Sequence, residues 1–105
     1  MGVVQDLHRA REAYERRDWV AAYQALSDLD DTELKAEDFL ALATTAYLLG
    51  RRNDCVHALQ RAYQAALASG DRQAAVRAAY RMTITFWQAG ELAVGNGWHA
   101  RAARL

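Results

Sequence analysis

"AEDFLALATTAYLLGRRNDCVHALQRA", Ala36 to Ala62, is the stretch that decides the fold. Phe39, Leu42, Ala43, Ala46 and Leu49 recur at steps of three and four, which puts them on one stripe of an α-helix. Gly50 follows, at the place where a helix closes on a left-handed residue and glycine has no Cβ to clash. Helical spacing resumes near Asn53, with Val56, Leu59, Ala62, Tyr63, Ala66 and Leu67 pointing inward. Two helices joined by so short a turn form an antiparallel hairpin.

The same spacing extends in both directions. Val3, Leu7, Ala10 and Tyr14 mark a first helix. Asp18, a plausible N-cap, precedes a second with Trp19, Ala22 or Tyr23, Leu26 and Leu29 on its stripe. "SDLDDTELKAED", residues 27–38, reads as an acidic loop. "SGD", Ser69 to Asp71, is a helix stop followed by a helix start. A fifth helix over about 72–88 has two apolar faces. Ala75, Ala79, Met82 and Phe86 make one; Val76, Tyr80, Ile84 and Trp87 make the other. Such a helix is packed on both sides or binds something with one of them. Gly90 ends it, and "ELAVGNGWHARAARL", residues 91–105, is a sixth helix. No stretch alternates as a strand would, so the chain is read as all-α, with six helices in three antiparallel hairpins.

The hairpins repeat. After each turn comes a small residue, Ala22, Cys55 or Gly95. Four residues later comes Leu26, Leu59 or His99, and three beyond that Leu29, Ala62 or Ala102. The turns at Arg17, Gly50 and Gly90 are spaced near the ~34 residues of a tetratricopeptide repeat (TPR). The chain resembles a TPR array over its whole length, with repeats at approximately 3–30, 36–69 and 71–105 of one domain, 1–105. Phe39, Leu42, Ala43, Ala46, Gly50, Cys55, Leu59 and Ala62 carry the resemblance, although none of the repeats has the family's proline. It implies a right-handed stack of three hairpins whose small positions admit close backbones. Gly95 is expected at such a position, and Gly97 is read as admitting another close neighbour.

A narrower resemblance is to the repeat region of large bacterial LuxR-type transcriptional regulators. "AREAYERRDWVAAYQALS", "AEDFLALATTAYLLGRRND" and "GELAVGNGWHARAARL" carry it. Those regulators end in a helix-turn-helix, for which 105 residues leave no room. The resemblance therefore implies a fragment or a stand-alone relative of a regulatory region.

Composition sets the other bounds. The chain is 52% hydrophobic and 25% charged, without proline and with a formal net charge of zero. That suits a packed helical protein and argues against disorder. No apolar run approaches the ~18 residues of a membrane span. The start is charged and periodic, so no secretory leader is expected. The single cysteine fits a cytoplasmic location. Acidic residues concentrate in 1–54 and the balance of 55–105 is basic, so the halves are expected to attract each other head to tail, between molecules, or to attract an acidic partner. The basic half carries too few charges to suggest direct nucleic-acid binding.

No phosphate loop, paired-cysteine metal site or nucleophile elbow is present. His8 with Glu12 reads as a surface contact, and Cys55 as a buried, inert thiol. No enzyme activity, metal or cofactor is expected. The expected function is a protein-interaction module that takes a protein or peptide partner in a concave groove. Its lining is expected to be Leu7, Arg11 and Tyr14, then Leu40, Thr44, Tyr47 and Leu48, then Arg77, Tyr80, Ile84 and Trp87. Val94, Trp98, Arg101 and Leu105 are expected to form an uncovered seam that pairs two chains in a homodimer. The alternatives are a small-molecule sensor with its ligand among Tyr47, Tyr80 and Trp87, and a purely structural oligomerisation domain.

Overall fold

The computed structural model describes residues 2–105. Six α-helices follow one another: α1 Val3–Glu15, α2 Trp19–Asp28, α3 Ala36–Leu48, α4 Arg52–Ser69, α5 Arg72–Gln88 and α6 Leu92–Ala103. A 3₁₀ turn, Asp31–Glu33, lies between α2 and α3. No described residue is in a strand.

Four of the five connections use one device. At Gly50, the Gly50 N–H donates to the Tyr47 carbonyl at 3.1 Å and the Arg51 N–H to the Ala46 carbonyl at 2.8 Å. This pair of bonds is the Schellman closure, and it requires a left-handed residue. Gly70 and Gly90 repeat it with φ of 74° and 79°. So does Arg17, at φ 62°, with its N–H on Tyr14 and that of Asp18 on Ala13. The first turn thus has the same geometry as the others without their glycine. The residue after the left-handed one starts the next helix at once. Asp18 and Asp71 accept from the Ala21 and Ala74 amides at 3.3 and 3.1 Å as N-caps.

Arg17 is consequently strained. A side chain in the left-handed region costs roughly 1–2 kcal/mol, part of which is offset because glycine loses more freedom on folding. Arg17→Gly is expected to raise stability by about 1 kcal/mol. The check is a higher urea midpoint with an unchanged slope.

The acidic loop is shorter than its composition suggests. Ser27 and Asp28 complete α2, and Ala36 to Asp38 already belong to α3. Asp38 accounts for the early start, because its carboxylate reaches back to accept from the Lys35 N–H at 2.9 Å. That bond satisfies one of the donors a helix leaves open at its start.

Each helix packs on its neighbour in sequence, and α3 also touches both α1 and α5. The molecule measures 44 × 30 × 20 Å. Its core is built largely of alanine: Ala10, Ala22, Ala43, Ala46, Ala58, Ala62, Ala66, Ala75 and Ala78 are fully buried, around Leu26, Leu59 and Met82. Small side chains let helices approach closely, and the few large ones fill the remaining gaps.

The small series Ala22, Cys55 and Gly95 is buried throughout. Gly95 stands where a Cβ would lie 2.6 Å from the Trp87 indole nitrogen and 3.2 Å from the Thr83 carbonyl. Gly97 differs: nothing in the chain lies within 4 Å of its would-be Cβ. It stands in an exposed stretch of α6. Gly97→Ala is therefore expected to stabilise the fold by up to about 1 kcal/mol, read as a raised thermal midpoint. The larger members of the series also diverge. Leu26 and Leu59 are buried, whereas His99 is exposed.

The charge halves meet inside the molecule. Asp31 pairs with Arg61 at 3.1 Å and Glu37 with Arg77 at 2.5 Å, each an acid of the first half on a base of the second, while Arg52 and Glu91, at 2.9 Å, pair in the opposite sense. Part of the attraction expected between copies is thus satisfied within one chain.

Candidate functional site

The two apolar faces of α5 separate cleanly. Ala75, Ala79 and Met82 are buried, and Phe86 is half-buried. Opposite them Tyr80 is 53% exposed, Ile84 40% and Trp87 41%. Large apolar side chains thus remain in contact with water along one face of α5.

That face borders a hollow of about 410 Å³. Tyr14 of α1 lines it, with Glu37, Leu40, Ala41 and Thr44 of α3 and Val76, Arg77, Tyr80 and Arg81 of α5. Three successive hairpins therefore contribute to one open groove. A second hollow of about 230 Å³ continues between α3 and α5. Tyr47, Cys55, Arg81, Ile84, Thr85 and Gln88 line it. Arg81 lines both.

The structure thus brings together Tyr14, Leu40, Thr44, Arg77 and Tyr80 in the first hollow, and Tyr47 and Ile84 in the second. The remaining expected residues lie elsewhere. Leu7 packs half-buried against the core. Arg11 is bound by Asp38, with its Nε and Nη2 donating to the two carboxylate oxygens at 2.9 Å each. Leu48 is exposed and borders neither hollow. Trp87 turns toward α6, where its Nε1 donates to the Asn96 side chain at 3.1 Å and its ring stacks on His99 at 5.8 Å. A single ligand site among Tyr47, Tyr80 and Trp87 is therefore not formed: the two tyrosines line different hollows, and the indole lines neither.

Arg81, Glu37 and Ala41 of the first hollow, and Cys55, Thr85 and Gln88 of the second, were not among the expected lining, whereas Val76 stands on the apolar face already named. Arg81 was legible in principle, one helical turn after Arg77 on the same face. As a residue it is half-buried. One nitrogen, Nη1, donates to the Leu40 carbonyl at 3.2 Å and to Thr44 Oγ1 at 3.0 Å. Both acceptors are neutral. Among the described residues Arg81 has no carboxylate partner, although Arg77 beside it is held by Glu37.

The α6 residues expected at an uncovered seam are mostly engaged within the chain. Trp98 stands edge-on to Tyr63, with ring centres 5.1 Å apart, and Arg101 lies 4.4 Å over its indole. Trp98 and Leu105 pack against the core. Val94 alone of the four is an exposed apolar side chain, with Leu92 beside it on the same helix.

No family model, curated protein or solved structure matches this chain at a significant level.

Burial pushes the Cys55 thiol up, against the opposing charges of Arg81 and Arg52. A polar hollow among α2, α3 and α4 holds Tyr23, whose hydroxyl donates to Asp54 at 2.8 Å. Among the described residues no three His, Cys, Asp or Glu side chains are grouped to hold a metal ion. His8 and Glu12 form the exposed one-turn pair their spacing implies. Among the described residues no helix is long and apolar enough to cross a membrane.

Proposed function

We propose that this chain is a non-enzymatic protein-interaction module, a TPR-like right-handed stack of three hairpins that holds a partner segment along α1, α3 and α5. The observation that supports it most is the groove to which the first helix of every hairpin contributes. A repeat array of this type offers just such a surface, because its first helices line one side. The groove is open and lined by apolar side chains together with a few charged ones, Glu37, Arg77 and Arg81, a mixture that partner sites also show. Its place in a regulator of the LuxR type rests on the sequence resemblance alone.

Self-association through α6 is the second reading, and Leu92 and Val94 are what favour it. Trp98 no longer supports it, since its ring is used against Tyr63. Trp98→Ala is accordingly expected to cost stability rather than to release a monomer.

Panning a displayed library of random short peptides against the purified chain tests the principal reading. Enriched peptides should lose most of their affinity for Tyr80→Ala, a substitution at an exposed position that leaves the core untouched. Aromatic anchors of this kind contribute about 2 kcal/mol or more when they matter. Binders indifferent to Tyr80 would place the site elsewhere. Light scattering on the same sample reports whether a second copy already fills the groove.

A further inference from the structure

The groove's occupant has a definite chemistry, and this deepens the interaction reading above. A guanidinium carries five N–H donors in a fixed fork. In Arg81 only Nη1 is used, on two neutral oxygens; among the described residues Nε and Nη2 have no acceptor. The contrast with its neighbours is sharp. Arg11, Arg52, Arg61 and Arg77 each hold a carboxylate across helices. Arg81 is half-buried and anchored at its tip, so its free edge is pre-positioned rather than sweeping through solvent. A carboxylate approaching the open edge makes the strongest bond available to it.

The surroundings supply the rest. On one side of Arg81 lies the hollow of Tyr14, Leu40, Val76 and Tyr80; on the other lies the hollow of Tyr47 and Ile84. The formal charge of the lining favours an acid. Glu37 is its sole carboxylate, and Arg77 occupies it.

We infer that the groove takes a partner segment of apolar–acidic–apolar pattern, whose Asp or Glu carboxylate sits on Arg81 and whose flanking apolar side chains enter the two hollows. Arg81 is then the specificity residue, because it is the point the two hollows share.

The test extends the library experiment. Peptides enriched on the wild-type chain should carry an Asp or Glu between apolar residues. One such peptide, fluorescently labelled, is then titrated by anisotropy beside a copy with Gln for Glu or Asn for Asp. The acid should bind about tenfold more tightly than its amide on the wild-type chain, the factor expected of one charge-assisted contact. On Arg81→Gln that difference should disappear. Arg81→Lys keeps the charge without the fork and should retain only part of it. Circular dichroism on each variant confirms that the helices persist. Equal binding of acid and amide, or a preference for the acid that survives Arg81→Gln, overturns the inference. In that event Tyr80-dependent binding still upholds the groove. If the enriched peptides show no dependence on Tyr80, the groove reading itself fails. A chain that proves dimeric, with the groove closed to every peptide, overturns both.

Discussion

Asp38→Ala will cost the protein about 3 kcal/mol, the loss expected when a buried, hydrogen-bonded carboxylate is removed from its pair. Asp38 is 4% exposed. It accepts both prongs of Arg11 and the Lys35 amide, so one side chain ties α1 to α3 and starts α3. Burial by itself would raise its pKa. The Arg11 bonds, the Lys35 amide and the nearby positive charges outweigh burial and hold the carboxyl below its usual range. The guanidinium of Arg11 is held upward by the same contact. A carboxyl whose native pKa is depressed stabilises the fold above its unfolded pKa, about 3.9, and that stability is lost as pH falls through the lower native value. Wild-type stability should therefore decline as pH drops below about 4, and Asp38→Asn should show a shallower decline over the same window. Urea titrations of both proteins at stepped pH values measure this directly. Parallel curves would mean that the pair does not act as the geometry implies.

The second large effect concerns α6. Gly95→Leu is expected to destabilise the fold by about 3 kcal/mol, the upper range for overpacking a filled seam. The new side chain meets the Trp87 indole and the Thr83 carbonyl. The carbonyl belongs to the backbone of α5 and cannot yield, so the indole must leave. With it go the Asn96 hydrogen bond and the His99 stack. Gly95→Ala is the milder case, because the gain in helix propensity, about 1 kcal/mol, offsets part of the clash. Differential scanning calorimetry should rank wild type, alanine and leucine in descending order of midpoint.

Much of the architecture could be read from spacing, because helix stripes and left-handed turn glycines are local signals. Arg17 shows the limit of composition within that success. Its residue type does not mark it as a turn, yet the repeat distance to Gly50 placed it there, and its φ is positive. The site was harder to read, because facing direction depends on what each helix packs against. Trp87 and Tyr47 occupy matching places in their hairpins, but Gly95 opens a slot on α6 that draws the indole away from the groove. The stripe of Trp98 on its own helix predicts an exposed seam. Tyr63, two helices earlier, reaches Trp98 from α4, a contact that no single helix's periodicity reveals. Arg81 escaped notice for a similar reason: its value lies in the partner it lacks, and only the packed helices show which arginines found carboxylates.

The account stands most directly on where a bound segment touches the chain. Amide and methyl NMR shifts, recorded while the tightest selected peptide is titrated in, map that contact. The strongest changes should fall on Tyr14, Leu40, Thr44, Val76, Tyr80, Arg81 and Ile84, with α2 and the outer side of α4 quiet. Changes centred instead on Leu92 and Val94 of α6, or around Tyr23 and His57, would contradict it.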